Sequence, residues 1–319
     1  MTSPRVLVTG AGGFVGESLI LKLLASKRFT PVGTSRRTIR LNTLCQVLTL
    51  DLNRPEEWPS LSGIQVLVHC AARVHVMNES AEDPLTSFRQ INVQATADLA
   101  RHAASCGVKR FIFISSIKVN GEQTFPGAPF TADDKPAPVD PYGISKLEAE
   151  LALMAIGRET GMEIVVIRPP LIYGDGVKAN FRVMLKWLNK GVPLPFGAVT
   201  NLRSLVSMEN LVDLIVVCID HPGAVGQIFL VSDNEDISTT RLLKELTIGL
   251  DKKARLLPVP QWLLLGIGRL LRKEASVGRL CNSLQVDISK TCERLNWKPI
   301  IDAASALRRT ANGFKQGER

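Results

Sequence analysis

Thr9-Gly10-Ala11-Gly12-Gly13-Phe14-Val15-Gly16 follows the apolar run Arg5-Val-Leu-Val-Thr9, and its reading decides the fold. Glycines 10, 13 and 16 are spaced Gly-x-x-Gly-x-x-Gly. Gly10 permits a tight turn out of a strand, Gly13 lets a pyrophosphate reach the backbone, and Gly16 lets the next helix pack close. With Phe14 and Val15 opening that helix, its free N–H groups face the phosphates. A glycine triplet alone marks any sharp turn; placed straight after the first strand, it predicts dinucleotide binding.

Working outward, further short β-branched runs are read as strands: Thr30 to Thr34, Val47 to Leu50, Val66 to His69, Phe111 to Ser115 and Ile164 to Arg168. Helical patterns separate them. Ser18 to Leu24 is one; Leu85, Phe88, Ile91, Ala95, Leu99 and Ala103 form the stripe of another. Strands apolar on both faces and alternating with helices predict an α/β fold, a Rossmann-type doubly wound parallel sheet. After Arg168, Pro169 and Pro170 break the rhythm. Helices are expected from Phe181, at Thr239 to Leu250 and at Gln261 to Leu271, with a late strand at Gln227 to Val231. The expected organisation is a cofactor domain over 1–167 and a smaller, mostly helical substrate lobe over 168–319, with about 204–235 returning to the main sheet.

Arg36 and Arg37 stand twenty and twenty-one residues beyond Gly16, after the second strand. An acid there would grip the ribose hydroxyls of NAD. Thr34-Ser35-Arg36-Arg37 has none, and arginines suit a 2′-phosphate, so NADP(H) is favoured without excluding NAD. Asp51 and Leu52, closing the third strand, are placed to meet the adenine. Ala71 and Ala72, after the fourth, are small enough to lie against the cofactor.

The strongest constellation is Asp140-Pro-Tyr-Gly-Ile-Ser-Lys146. Asp140 is a good N-cap and Pro141 a good first helical residue. Tyr142 and Lys146 then share one helical face. A phenol titrating near 10 exchanges protons poorly at neutrality; a neighbouring ammonium and an oxidised nicotinamide would favour its phenolate, a change of roughly 4 kcal/mol. Ser115 and Ser116 end the fifth strand in two hydroxyls, either able to hold a substrate oxygen beside Tyr142.

These motifs resemble the extended short-chain dehydrogenase/reductase superfamily, in its nucleotide-sugar epimerase and reductase branch. The likeness runs from Thr9–Gly16 to Leu295-Asn-Trp-Lys-Pro299. It implies that Ser116 orients the sugar oxygen, Tyr142 relays the proton and Lys146 binds the nicotinamide ribose. It implies, too, that Asn92 props the site, that Pro169 lies at the cofactor, and that Asn180 and Arg203 contact a nucleotide diphosphate. Relatives also imply a homodimer joined through the helices around Leu85 to Cys106 and Tyr142 to Ile156. Where the family commonly has tyrosine before the glycine, Ser116-Ile-Lys-Val-Asn-Gly121 has Asn120, and Lys118 adds a charge near the substrate. Ser115–Glu122 is most similar to enzymes acting on the 4-keto group of UDP-linked 6-deoxy-N-acetylhexosamines, yielding UDP-N-acetylquinovosamine. The expectation is therefore a 4-ketoreductase using NADP(H), with a UDP-hexose or UDP-N-acetylhexosamine 4-epimerase holding NAD as the alternative. A non-catalytic NAD(P)-sensing regulator is a distant third, disfavoured by the intact Ser116, Tyr142 and Lys146.

Composition bounds the rest. The 319 residues are 45% apolar and 22% charged, enough for a large core. Lysine and arginine exceed aspartate and glutamate by 39 to 30, a net charge of +9 that suits nucleic acid, an acidic membrane surface or a phosphorylated small molecule. With 5% aromatics and no basic run interleaved with rings, nucleic-acid recognition has little support. The six scattered cysteines and four histidines, His75 among them, show no metal-ligand spacing, and no metal is expected. The greasiest stretch, Trp262 to Leu271, is interrupted by Arg269 and is too short to span a bilayer. A soluble, cytoplasmic protein without membrane insertion is expected.

Overall fold

The computed structural model describes residues 3–73, 83–125, 127–271 and 274–317; His75 lies outside them. Seven parallel strands form the central sheet: β1 (Arg5–Thr9), β2 (Thr30–Ser35), β3 (Gln46–Thr49), β4 (Val66–His69), β5 (Arg110–Ile114), β6 (Glu163–Arg168) and β9 (Ile228–Leu230). Their order is β3-β2-β1-β4-β5-β6-β9. The chain reverses direction across the sheet between β1 and β4, the crevice where such sheets bind ligands. Thr9 and His69 face each other at its mouth.

Both faces of the sheet are covered, which is why its strands read as unbroken apolar runs. On one face α1 (Phe14–Ser26) and α6 (Met208–Asp220) enclose a core containing Val6, Val8, Leu19, Leu23, Ile112 and Ile215. On the other, α3 (Ala95–Ser105) and α4 (Pro141–Thr160) bury Leu99, Ala103, Leu153 and Ile156 against Leu7, Phe111 and Val166. Arg110 is a buried cation inside this packing. Its Nη1 donates to the carbonyls of Cys218, Ile219 and His221, satisfying the end of α6, and its Nε donates to Glu163.

The expected stripe before α3 is not one continuous α-helix. Between α2 (Pro84–Phe88) and α3, residues Arg89–Gln94 form a π-helical turn. The wider turn shifts the phase, so Asn92 is buried while Ile91 is only half-buried.

Beyond Arg168 the smaller lobe is mostly helical, as expected, but it is built around a small sheet of its own. A second, three-stranded sheet orders β10-β8-β7, from β7 (Leu171–Tyr173), β8 (Arg203–Ser207) and β10 (Asp236–Ile237). Around it pack α5 (Ala179–Asn189), α7 (Thr239–Gly249) and α11 (Ala303–Gly317), with Tyr173, Leu185, Leu243 and Leu307 at the centre. α8 (Gln261–Leu270) lies against α9 (Glu274–Cys281), and α10 (Ser289–Leu295) sits beside β9. No helix among the described residues is long and apolar enough to cross a membrane.

Candidate active site

The glycine turn is shaped by close approach. Gly10 has φ +65°, and a Cβ there would lie 2.9 Å from the Ala71 nitrogen. A Cβ on Gly16 would overlap the Gly10 carbonyl, so α1 can start where it does only with glycine at 16. Gly13 N–H donates to the Gly10 carbonyl at 2.8 Å, closing the turn at the N-terminus of α1 that Phe14 and Val15 begin. The cradle thus leaves backbone, rather than side chains, to meet a pyrophosphate, which fits a dinucleotide.

Behind it runs a buried relay that the sequence reading missed. The Ala71 N–H donates to Thr9 Oγ1 at 3.2 Å; Thr9 Oγ1 and His69 Nδ1 are 2.8 Å apart; His69 Nε2 and Thr96 Oγ1 are 3.1 Å apart. With the Thr9 hydroxyl donating to Nδ1 and His69 donating from Nε2, every member of the relay has a partner. Burial, helped by the charge of Lys146, lowers the His69 pKa to about 3, so the ring is neutral. The only signal for this relay is three polar residues inside apolar segments.

Arg36 and Arg37 are exposed after β2, as a reader of the adenosine ribose requires. The Arg37 N–H donates to Ser35 Oγ. Asp51 is half-buried at the end of β3 and its Oδ1 takes Asn53, with Leu52 beside it against the core. Ala72 follows Ala71 at the end of β4.

Tyr142 and Lys146 occupy the first turns of α4. The Asp140 carboxylate caps this helix by accepting from the Gly143 N–H at 2.6 Å, and Pro141 takes the first position. A Cβ on Gly143 would lie 2.7 Å from the Lys118 carbonyl, so the first turn of α4 presses directly on the turn that Ser116 begins. Ser116 Oγ caps that turn by accepting from the Lys118 N–H, and the Ile117 N–H donates to the Pro169 carbonyl. Ser116, Tyr142, Lys146 and Pro169 are thereby gathered at the C-terminal ends of β5 and β6.

Lys146 is buried, its Nζ donating to the Ile114 carbonyl at 2.8 Å and lying 4.4 Å from the Phe113 ring and 5.8 Å from the Tyr142 ring. Burial lowers its pKa to about 8. The same burial, with Asp140 nearby, raises the Tyr142 phenol above its ordinary value. The protein's own groups therefore favour the neutral phenol, which leaves the oxidised nicotinamide, the other half of the expected pair of charges, to draw it down.

Asn92, turned inward by the π-helical segment, donates from Nδ2 to Ser145 Oγ and the Arg73 carbonyl and accepts the Arg73 N–H. It braces the stretch after β4 against α4 between the two candidate catalytic residues.

Ser115 faces the other way from Ser116. It is buried, and its hydroxyl donates to Glu150. Glu150 also takes a two-pronged contact from Arg168, Nε at 3.0 Å and Nη2 at 2.6 Å. Arg168 Nη1 donates to Asn120 Oδ1 at 2.9 Å, and Asn120 Nδ2 to the Thr131 carbonyl. Asn120, the departure from the family pattern, thus completes a buried polar cluster beneath the site. Lys118 is engaged by Asp140 and Glu122 at the entrance.

In the lobe, Arg203 on β8 is half-buried and donates to the Asn282 carbonyl at 2.9 Å. Burial, with repulsion from Arg279 on α9, lowers its pKa, which marks two guanidiniums sharing one neighbourhood. Arg279 was not singled out from sequence, being one basic residue among many. Asn180 lies exposed in the first turn of α5.

The model of the NAD dependent epimerase/dehydratase family matches residues 6–232. The chain belongs to that family. A UDP-glucose 4-epimerase of Vibrio cholerae is 48% identical over 98% of this chain and 95% of its own length. Among solved structures, a UDP-glucose 4-epimerase from Thermotoga maritima, crystallised with UDP-glucose, superposes with a TM-score of 0.78 at 21% identity. That match covers 99% of this chain and 100% of the other. A UDP-glucuronic acid 4-epimerase from Bacillus cereus in complex with NAD gives 0.77 at 21% identity, covering 99% and 100%. Family membership makes this chain an NAD-dependent enzyme, and the two structural likenesses carry the fold.

Proposed function

We propose that the protein is a UDP-sugar 4-epimerase using bound NAD, acting on a UDP-hexose or UDP-N-acetylhexosamine. The observation that carries this reading is the seating of Lys146 on the Ile114 carbonyl, beside Tyr142 and across the crevice from the glycine cradle. The 48% identical Vibrio cholerae relative supports the epimerase over the reductase favoured from sequence. Bound in its oxidised form, NAD would supply a reversible acceptor for the C4 hydrogen and a positive charge that draws the Tyr142 phenol down. Ser116 Oγ holds the sugar 4-oxygen. Tyr142 Oη accepts its proton as the alcohol becomes a ketone, and returns it after the sugar has presented its other face. Lys146 Nζ binds the nicotinamide ribose and steadies the phenolate. Arg203, with Arg279, takes the diphosphate in bidentate fashion, and Asn180 lies at the same subsite. Copies of the chain pair through α3 and α4, where Leu151 is exposed.

A second reading rests on Arg36 and Arg37, exposed after β2 where no acid grips a ribose: a ketoreductase with exchangeable NADP(H), acting on a UDP-4-keto-6-deoxy-N-acetylhexosamine. Incubation with UDP-glucose and with UDP-N-acetylglucosamine, without added cofactor, separates the two. Formation of the C4 isomer is the result expected; no isomer, with NADPH consumed only on the 4-keto sugar, gives the second reading.

A further inference from the structure

α8 carries an outward stripe that the protein leaves uncovered. Leu264 and Gly268 are buried, Gly268 against Val277 of α9, where a Cβ would come within 2.9 Å of the valine side chain. On the other side Trp262, Leu263, Ile267, Leu270 and Leu271 are exposed, Trp262 at 73% and Leu270 at 83%. Their spacing keeps them together along one side of the helix. The apolar surface extends past the helix: Leu257 is exposed, and its N–H pairs with the Leu194 carbonyl in the strand-like stretch next to exposed Val192. Contiguous exposed apolar surface of this kind marks an interaction site.

Charge identifies what would cover it. Between Asp251 and Glu274 the sequence holds Lys252, Lys253, Arg255, Arg269, Arg272 and Lys273 and no acid. Between Asp175 and Glu209, which includes α5 and the Val192 stretch, it holds Lys178, Arg182, Lys186 and Lys190 besides the Arg203 of the candidate site, and again no acid. These two segments of one lobe concentrate positive charge in a chain whose net charge is +9. Among the described residues of the first set, Arg269 pairs with Glu274 just beyond the segment, and Lys252, Lys253 and Arg255 have no acidic partner. A second copy of the chain would bring like charges together. An anionic bilayer offers both what the apolar stripe and the cations need. The ten residues of α8 extend about 15 Å, half of a hydrocarbon core, so the helix lies in the interface and does not cross it.

We propose that α8 and the Leu257 stretch dock the protein on an anionic membrane surface, with Trp262, Leu270 and Leu271 entering the headgroup layer. The proposal does not depend on the reaction argued above. The test is flotation of the full chain with vesicles of phosphatidylglycerol and phosphatidylethanolamine, compared with phosphatidylcholine vesicles, at low and high salt. Binding to the anionic vesicles, weakened by salt, is expected, with a blue shift of tryptophan emission that the Trp262→Phe variant lacks. The doubly substituted Leu270→Glu/Leu271→Glu protein should bind at least about tenfold more weakly with unchanged turnover, both sites being exposed. Lys252→Ala and Lys253→Ala should each cost about fivefold. Failure to float with anionic vesicles at low salt overturns the proposal. So does a wild-type dimer that the Leu270→Glu/Leu271→Glu variant dissolves, since a second copy would then be the cover.

Discussion

Arg168 and Glu150 form a two-pronged ion pair in which both side chains are almost wholly buried, 2% and 3% exposed. The pair joins the end of β6 to the middle of α4, beneath the candidate catalytic turn. Removing one charge leaves the other stranded in a site that water does not reach. Glu150→Gln should therefore lower unfolding stability by about 3–5 kcal/mol, and Glu150→Leu combined with Arg168→Met by much less. Urea denaturation of the two variants checks this. Equal losses would mean the pair acts through packing alone.

Tyr142→Phe should reduce turnover by at least about 10²-fold while leaving NAD binding within twofold or so of wild type. Steady-state kinetics with a cofactor titration measures both. Near-normal turnover would remove the phenol from the chemistry.

The buried Lys146 makes stability depend on pH. Its folded-state pKa is about 8 against 10.5 unfolded. Below pH 8 both states hold the proton and the folded state bears the full cost of burying the charge. Between 8 and 10.5 the folded state loses the proton first, so stability rises with pH. Relative to Lys146→Met, the wild-type protein should gain about 3 kcal/mol over that window. Denaturant midpoints of the two proteins, without cofactor, would be compared across it; parallel pH profiles would refute the assignment.

Gly16→Ala should destabilise the protein and abolish NAD binding together, since the new methyl meets the Gly10 carbonyl. Thermal unfolding with and without NAD is the measurement. A variant that melts normally and is still stabilised by NAD would show that α1 can retreat from the turn.

Arg203→Ala should raise the KM for the UDP-sugar with kcat little changed, because a diphosphate contact is made equally in ground and transition states. An equal fall in kcat would instead place Arg203 at the reacting carbon.

The large sheet and the Tyr142–Lys146 pair were legible because each rests on local grammar: double-sided apolar strands, a glycine turn, an Asp-Pro helix start. What stayed hidden was set by tertiary packing. β7 has three residues and β10 two, too short for an alternating pattern to register. α6 is buried over most of its circumference, with only Glu209, Asp213, Val217 and Asp220 nearer the surface, so Leu214-Ile-Val-Val217 reads as the kind of short apolar run that a buried strand shares. The π-helical turn changes the phase of its own helix, and Asn92 enters the interior where periodicity points to Ile91. At the site, Ser115 and Ser116 read alike; only the side of the strand end on which each falls sends one to Glu150 and the other to the turn beside Tyr142. Arg168 carried an unused clue, a charge ending an otherwise apolar strand before two prolines.

β9, the strand that completes the large sheet, bears on how the chain must be made. It pairs with β6, yet fifty-nine residues of lobe and α6 separate Arg168 from Ile228. On the ribosome, β6 emerges with its outer edge open and stays so until residue 230 is clear of the exit tunnel. A bare edge invites pairing with another nascent chain. Synthesis that stalled in that interval would release a protein with Ser116, Tyr142 and Lys146 already in the chain and an adhesive border along its sheet.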